Sequence, residues 1–179
     1  MAAKPAQIQV RLRELSQLFN LMDPSPFIER DLDADAEEFI VGWAREYRSE
    51  QEFELVIQLS SPTTTMNEAA VGESVRHYFG ARTAMKQREL RLMMRRGRQR
   101  LLIGLLFLAG CLFMGGVVGR LGEGTTHDIV RESLTILGWV AMWGPLQTYL
   151  YDWWPLREER GLFARLARMP VRLDRTTGV

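Results

Sequence analysis

The sequence predicts an α+β membrane protein, in which a small cytosolic β-α-β head is followed by one long helix that continues into a two-helix transmembrane hairpin. Three observations carry that expectation. Residues 101–119, LLIGLLFLAGCLFMGGVVG, run for nineteen positions without a charge. At about 1.5 Å rise per residue such a stretch crosses a hydrocarbon core of about 30 Å. A second charge-free stretch, residues 133–151, follows a short polar segment. Ahead of both, residues 1–65 switch between strand-like and helix-like hydrophobic periods.

Charge is distributed in blocks. Residues 1–65 carry six basic and twelve acidic side chains, residues 66–100 nine and three, and residues 101–179 eight and seven. The formal total of +1 therefore conceals an acidic head, a basic neck and a membrane part. Such asymmetry points to a membrane surface or a nucleic acid, and beside an apolar span the membrane is the simpler partner. No nucleic acid is expected. The overall mean hydropathy of -0.13 averages these unlike parts. The single cysteine, Cys111, lies inside 101–119; it cannot form an intrachain disulfide and reads as a small buried hydrophobe. The N-terminus has no apolar secretory core, so the internal span is expected to direct insertion.

Ile8-Gln9-Val10-Arg11-Leu12-Arg13 alternates apolar with polar, the period of a half-buried strand. The pattern loosens over 15–21, where a short helical turn and more strand are equally compatible. Asp23-Pro24-Ser25-Pro26 makes a turn, since each proline pushes its predecessor out of helical geometry. Asp33 or Asp35 caps a helix over about 34–48, with Ala36, Phe39, Ile40, Trp43, Ala44 and Tyr47 on one face. Phe53-Glu54-Leu55-Val56-Ile57-Gln58-Leu59 is a second, more central strand. Strand, helix and strand predict one parallel unit with a right-handed crossover. Two strands are marginal alone, so the next helix or a second copy of the chain has to complete the head.

Asn67 caps that next helix, which meets no proline before Gly119. Val71, Val75, Tyr78, Phe79, Met85, Leu92 and Met93 form an intermittent apolar stripe, and arginines surround it. The stretch 66–100 is a helical neck of about 50 Å if unbroken, and Gly97 allows a bend. Arg95, Arg96, Arg98 and Arg100 read as a membrane stop and orientation signal, with an anionic-lipid or nucleic-acid site as the alternative. Residues 120–132, with Gly122 and Gly124, read as an external loop. Residues 133–151 read as a second span that Pro145 kinks, or alternatively as a re-entrant segment. Tyr149, Tyr151, Trp153 and Trp154 gather at its end, where rings favour the headgroup level, and Arg157 follows. Residues 152–179 form a basic tail in which Leu162, Phe163, Leu166 and Met169 oppose Arg165 and Arg168, as on a helix lying at the membrane surface. Arginines flank both outer ends, which places both termini in the cytoplasm.

Chemistry is sparse in this sequence. The two histidines, His77 and His127, fall on opposite sides of the predicted membrane, and no pair stands at metal-ligand spacing. No phosphate loop, nucleophile elbow or cofactor motif is present, so no catalytic residue, cofactor or metal is assigned. The hydroxyl-rich run 60–65 reads as a turn. The acids Glu29, Asp31, Asp33, Asp35, Glu37 and Glu38 lack the spacing of a calcium loop and read as a solvated face with a helix cap. Gly115 and Gly119, four residues apart, are the helix-packing candidates. Asp152 is the one acid beside a span.

Gly138-Trp139-Val140-Ala141-Met142-Trp143-Gly144-Pro145-Leu146, Tyr149-Leu150-Tyr151-Asp152-Trp153-Trp154-Pro155 and Asp33-Ala34-Asp35-Ala36-Glu37-Glu38-Phe39-Ile40 together resemble segments of small two-span bacterial inner-membrane proteins. The resemblance covers about half the chain and implies a bacterial inner membrane; it brings no activity with it. The expected role is a non-enzymatic scaffold, anchor or accessory subunit that assembles with itself or with a larger membrane protein. A pore subunit, for which Thr135, Gln147 and Thr148 are the only polar residues available, and a lipid-acting enzyme using Asp152 or His77 are the alternatives.

Overall fold

The computed structural model describes residues 5–47, 51–60, 67–122 and 124–175. The protein is α+β and divides into two compact units, Met1–Lys86 with Glu158–Val179, and Gln87–Arg157. The first unit is the head. Strand β1 (Ala6–Leu12) leads through two short 3-10 turns, Leu15–Leu18 and Phe27–Glu29, to helix α1 (Ala34–Glu46) and strand β2 (Phe53–Leu59). Asp33 caps α1, its carboxylate accepting from the Asp35 amide at 3.0 Å. Between the turns, Asp23 accepts from the amides of Asp31 and Ser25, and these bonds hold its carboxyl below the usual range.

β1 and β2 pair in parallel, Ala6 beside Phe53 through Leu12 beside Leu59, as the alternating pattern predicts. The helix that follows β2 covers the sheet as expected, burying Val71, Val75 and Phe79 in the head core. A third strand was not expected: the C-terminal segment β3 (Val171–Arg175) pairs in parallel with β2 to give the order β1-β2-β3. Val171 and Leu173 face the core side and Arg172 and Asp174 the other, so the tail read as a basic extension carries a strand alternation.

Helix α2 (Glu68–Leu121) is a single uninterrupted helix of 54 residues, and Asn67 caps it by accepting from the Ala69 amide. Its Val71, Val75, Tyr78 and Phe79 are buried in the head, whereas Met85 and Leu92 are exposed, so the predicted stripe is covered only up to Phe79. Among the described residues α2 is the one helix long and apolar enough to cross a membrane, with a mean hydropathy of 2.5 over its most apolar window and 17% of that window buried.

Two expectations in the second half of the chain are corrected, and a third is refined. Residues 120–132 are not a loop: α2 runs to Leu121 and helix α3 (Thr125–Gln147) starts after the glycine-bearing turn. Asp128 lies in the first turn of α3, where a negative charge suits the helix dipole, and no proline interrupts the polar stretch. The second charge-free stretch is irregular near its proline, as expected, and the irregularity extends beyond it. Pro145 lies inside α3, residues Thr148–Asp152 form one π turn, and helix α4 (Trp153–Leu166) follows. Glycines, threonines and Gln147 keep its hydropathy below that of α2. Finally, the apolar side of the tail helix does not lie open for a membrane surface. Leu162, Phe163, Leu166 and Met169 are buried in the head core, and Phe163 stacks on Phe79 with ring centroids 6.2 Å apart. Glu159 bridges Arg45 of α1 and Lys86 of α2. Burying a side chain of this size contributes roughly 1.5–3 kcal/mol, more than a solvated interface recovers for a helix that already has a core to enter.

Leu166→Ala is expected to lower the stability of the head by about 2–5 kcal/mol. Arg168→Ala, on the exposed side of the same segment, is expected to change it by less than about 0.5 kcal/mol. Urea denaturation in detergent, followed by circular dichroism, measures both; equal effects would mean that Leu166 is not in the core.

Candidate functional site

Within Gln87–Arg157, α2 and α3 meet through small residues. Gly97 lies against Thr148 and Tyr149, Gly104 against Ala141, Met142 and Pro145, and Gly138 against Leu108 and Cys111. The partners descend along α3 as the positions ascend along α2, so the contacts run in opposite chain directions. A methyl group added at Gly138 would come within 2.7 Å of the Leu108 side chain and 3.2 Å of the Cys111 Cβ. Gly115 and Gly119 face Arg131: a methyl group added at either would lie 3.5 or 3.7 Å from its side-chain carbons. Gly97, Gly104 and Cys111 are spaced by seven residues, with Leu101, Leu108 and Gly115 as the second row. This repeat keeps one edge of a helix turned toward a neighbour and admits close backbone approach wherever the residue is small. Sequence reasoning picked out the four-residue step at Gly115 and missed the seven-residue step before it, which was legible. Arg131, read as a loop residue, was missed with it.

The remaining surface of these helices is apolar and open. Leu102, Ile103, Leu106 and Phe113 on α2, and Ile136, Trp139, Val140 and Trp143 on α3, are all more than half exposed. A contiguous apolar surface of this extent on a water-facing protein is an aggregation liability. Thr135 and Thr148 donate their hydroxyls to the carbonyls of Arg131 and Gly144, so both are satisfied by their own helix.

At the far end of this pair, Glu89, Arg96, Arg100 and Asp152 line a groove of about 320 Å³. Arg95, Arg96, Arg98 and Arg100 are all exposed. Arg157 places its guanidinium 5.5 Å from the Trp153 ring centre, Trp153 packs on Trp154, and Trp154 is exposed. The Trp153 indole donates to the Tyr149 carbonyl at 2.7 Å, beside the π turn where the regular hydrogen-bond ladder is broken. Pro145 has no amide hydrogen to give, and Thr148 shares its own between the Gly144 and Pro145 carbonyls.

In the head, the charged groups hold elements together. Tyr78 donates to the Glu37 carboxylate at 2.7 Å; Arg82 donates to the Tyr78 oxygen at 3.1 Å and also pairs with Glu37. This ring ties α1 to α2. Burial and the Glu37 carboxylate push the Tyr78 phenol well above its ordinary pKa. Burial opposes the charge on Arg82, but Glu37 and Tyr78 outweigh it and raise its pKa. Ser74, fully buried on α2, donates to the Phe27 carbonyl and anchors the second 3-10 turn. His77 is exposed on α2, and His127 lies against Gly122 in the other unit. Among the described residues no group of three His, Cys, Asp or Glu side chains could hold a metal ion. Of the hydroxyl-rich run 60–65, residues 61–65 lie outside the described residues. No family model, curated protein or solved structure matches this chain.

Tyr78→Phe is expected to cost about 1.5 kcal/mol, the low end for a hydrogen bond to a charged group because Arg82 stays with Glu37. A raised folded pKa means that this stabilisation is whole below the unfolded tyrosine pKa of about 10 and is lost as pH rises beyond it. Urea melts between pH 8 and about 11 should therefore show a steeper alkaline loss in the parent than in Tyr78→Phe. Gly138→Leu is expected to destabilise the α2–α3 pair by about 1–3 kcal/mol through overpacking. Gly144→Ala, whose new methyl meets nothing within 4 Å, should leave the thermal midpoint in detergent unchanged or slightly raised. Equal effects of the two substitutions would remove the seam.

Proposed function

We propose that the protein is a two-span integral membrane protein of the bacterial inner membrane. It acts as a non-enzymatic scaffold, anchor or accessory subunit that assembles with itself or with a larger membrane protein, and its head and both termini lie in the cytoplasm. The observation that carries this reading is the discontinuity of the head. Its core is built from residues on both sides of Gln87–Arg157: Ile8, Ile40, Leu55 and Val75 before it, Phe163, Leu166 and Val171 after it. A chain that leaves such a head through a membrane has to return to the same side, so the number of crossings is even. With α2 as the outward crossing, the stretch 133–151 is the only charge-free segment left to make the return. This constraint fixes no side; the arginine distribution separately favours the cytoplasm for the head. The exposed apolar faces of α2 and α3 then meet lipid, and Trp154 and the arginines around 95–100 and at Arg157 meet headgroups.

The role follows from what the head offers. Its carboxylates cap, clamp and bridge helices, and the resemblance of the α3 region to small two-span bacterial membrane proteins brings no reaction with it. A head held at a membrane by two spans is suited to recruiting or organising other chains.

The test is accessibility in the parent membrane. In a Cys111→Ala background, Gly122→Cys is expected to react with an impermeant maleimide in intact cells, whereas Ser16→Cys and Arg168→Cys react only after lysis. The protein should also stay in the pellet on alkaline carbonate extraction. Release by carbonate would remove the membrane reading. Labelling of Ser16 and Arg168 from opposite sides would remove the second crossing.

A further inference from the structure

We infer that the open edge of β1 pairs antiparallel with the same edge of a second copy, joining two heads into one six-stranded sheet. This gives the self-assembly proposed above a defined surface, and it rests on that reading.

The backbone bonding of β1 indicates which groups remain available. The Ala6 amide donates to the Glu52 carbonyl, and the Leu12 carbonyl accepts from Ser60. Alternate residues of a parallel edge strand bond inward, so Ala6, Ile8, Val10 and Leu12 face β2. Gln7, Gln9 and Arg11 turn their amide and carbonyl groups outward, where they meet no protein partner among the described residues. A monomeric protein usually blunts such an edge with lysine, proline, a bulge or short length. The other edge of this sheet follows that practice: β3 has five residues, follows Pro170 and carries Arg172 and Asp174. β1 also follows a proline, Pro5, but has seven residues, no proline or lysine within it, and one charge.

The edge is complementary to itself. With a two-fold axis at Gln9, Gln9 faces its own copy and Gln7 faces the second copy's Arg11. All three outward residues then make hydrogen-bonded pairs. On the polar face of the sheet, one cross-strand row would read Asp174, Gln58 and Arg11 from one copy, then Gln7 and Glu54 from the other, following the registers within each head. Charges alternate along it, and Gln7 already donates to Glu54 at 3.0 Å, as Arg11 does to Gln58. Like charges directly opposite one another are avoided. A slip of two residues one way sets Pro5, which lacks an amide hydrogen, opposite Arg11; a slip the other way loses a pair at the strand end and brings the two Arg11 side chains closer. Beside the edge lies an open groove of about 880 Å³ whose helical wall runs from Asp33 and Asp35 at the start of α1 to Ala36, Phe39 and Trp43. Phe39 and Trp43, 43% and 44% exposed and packed on one another, form an apolar strip that the symmetry-related helix would cover.

The experiment uses the full chain in its own membrane, in the Cys111→Ala background. Directly opposed residues of a hydrogen-bonded antiparallel pair lie about 5.5 Å apart at Cα, within the span of a disulfide. Mild oxidation should therefore give a disulfide-linked dimer with Gln9→Cys. Gln7→Cys, with its two copies about 14 Å apart, should give little dimer alone and dimerise when co-expressed with Arg11→Cys. Gln9→Pro removes an amide that the head itself does not use, and Gln9→Lys sets two charges together at the axis. Either should lower the dimer fraction in native mass spectrometry at least about tenfold, with circular dichroism unchanged. Oligomers in the parent protein with no preference for position 9 over position 7 would overturn this interface and leave self-assembly standing. A parent protein that is monomeric throughout would overturn both. Cross-linking of position 9 to a different polypeptide would overturn self-pairing and give the edge to a partner's strand.

Discussion

The pairing of β3 with β2 is the constraint on which the rest of the molecule depends. Two parallel strands are marginal by themselves, and the head covers them with α1 and the first turns of α2. The third strand comes from the far end of the chain, and α4 brings Leu162, Phe163 and Leu166 into the same core. Everything between Lys86 and Glu158 is therefore an insertion whose two ends are held by one small head. That arrangement limits what the insertion can be. A single apolar helix could not leave the head, cross a bilayer and still let the chain return to its starting side. A pair of helices could, and the small-residue seam between α2 and α3 would suit such a pair in lipid, where no hydrophobic drive brings helices together.

The same constraint gives meaning to the irregular geometry near Pro145. Helix α3 leads from the seam, where Gly104 and Pro145 lie together, toward α4, whose Leu162, Phe163 and Leu166 are in the head core. The π turn at Thr148–Asp152 inserts an extra residue into the helical repeat and rotates the face presented afterwards. Thr148 and Trp153 hold that irregularity by hydrogen bonding to carbonyls around it.

Local signals in the sequence were enough for the elements that depend on local physics. The β1 alternation, the Asp33 and Asn67 caps, the limits of β2 and the continuity of the long helix were all legible, since each is set by neighbours within a few residues. What escaped was either non-local or masked by charge. Val171 to Asp174 alternates like a strand but is surrounded by arginines, and nothing nearby indicates that its partner lies more than a hundred residues upstream. Gly161 to Met169 is amphipathic, and amphipathicity alone does not distinguish a membrane surface from a protein core. Residues 125–132 are polar enough to pass for a loop, yet their helix propensity is adequate once Asp128 stands in the first turn. The Gly115–Gly119 step was visible, but Arg131 as its neighbour required knowing that the intervening loop is short.

A three-stranded parallel sheet with one face covered is itself an unusual object, because parallel sheets are ordinarily buried on both sides. Here the second face is a ladder of polar side chains, Gln7 to Glu54, Arg11 to Gln58 and Arg172 to Glu54, which satisfies that surface without a second layer of helices. The ladder makes a solvated face tolerable, but it does nothing for the unpaired backbone at the sheet's edge. Charge and brevity protect β3, while β1 keeps a long, nearly neutral edge next to Phe39 and Trp43. Confinement to a membrane would raise the effective concentration of heads toward one another, so an edge too weak to associate in dilute solution could do so there. The asymmetry between the two edges is thus most economically explained if β1 is left open for pairing and β3 is closed against it.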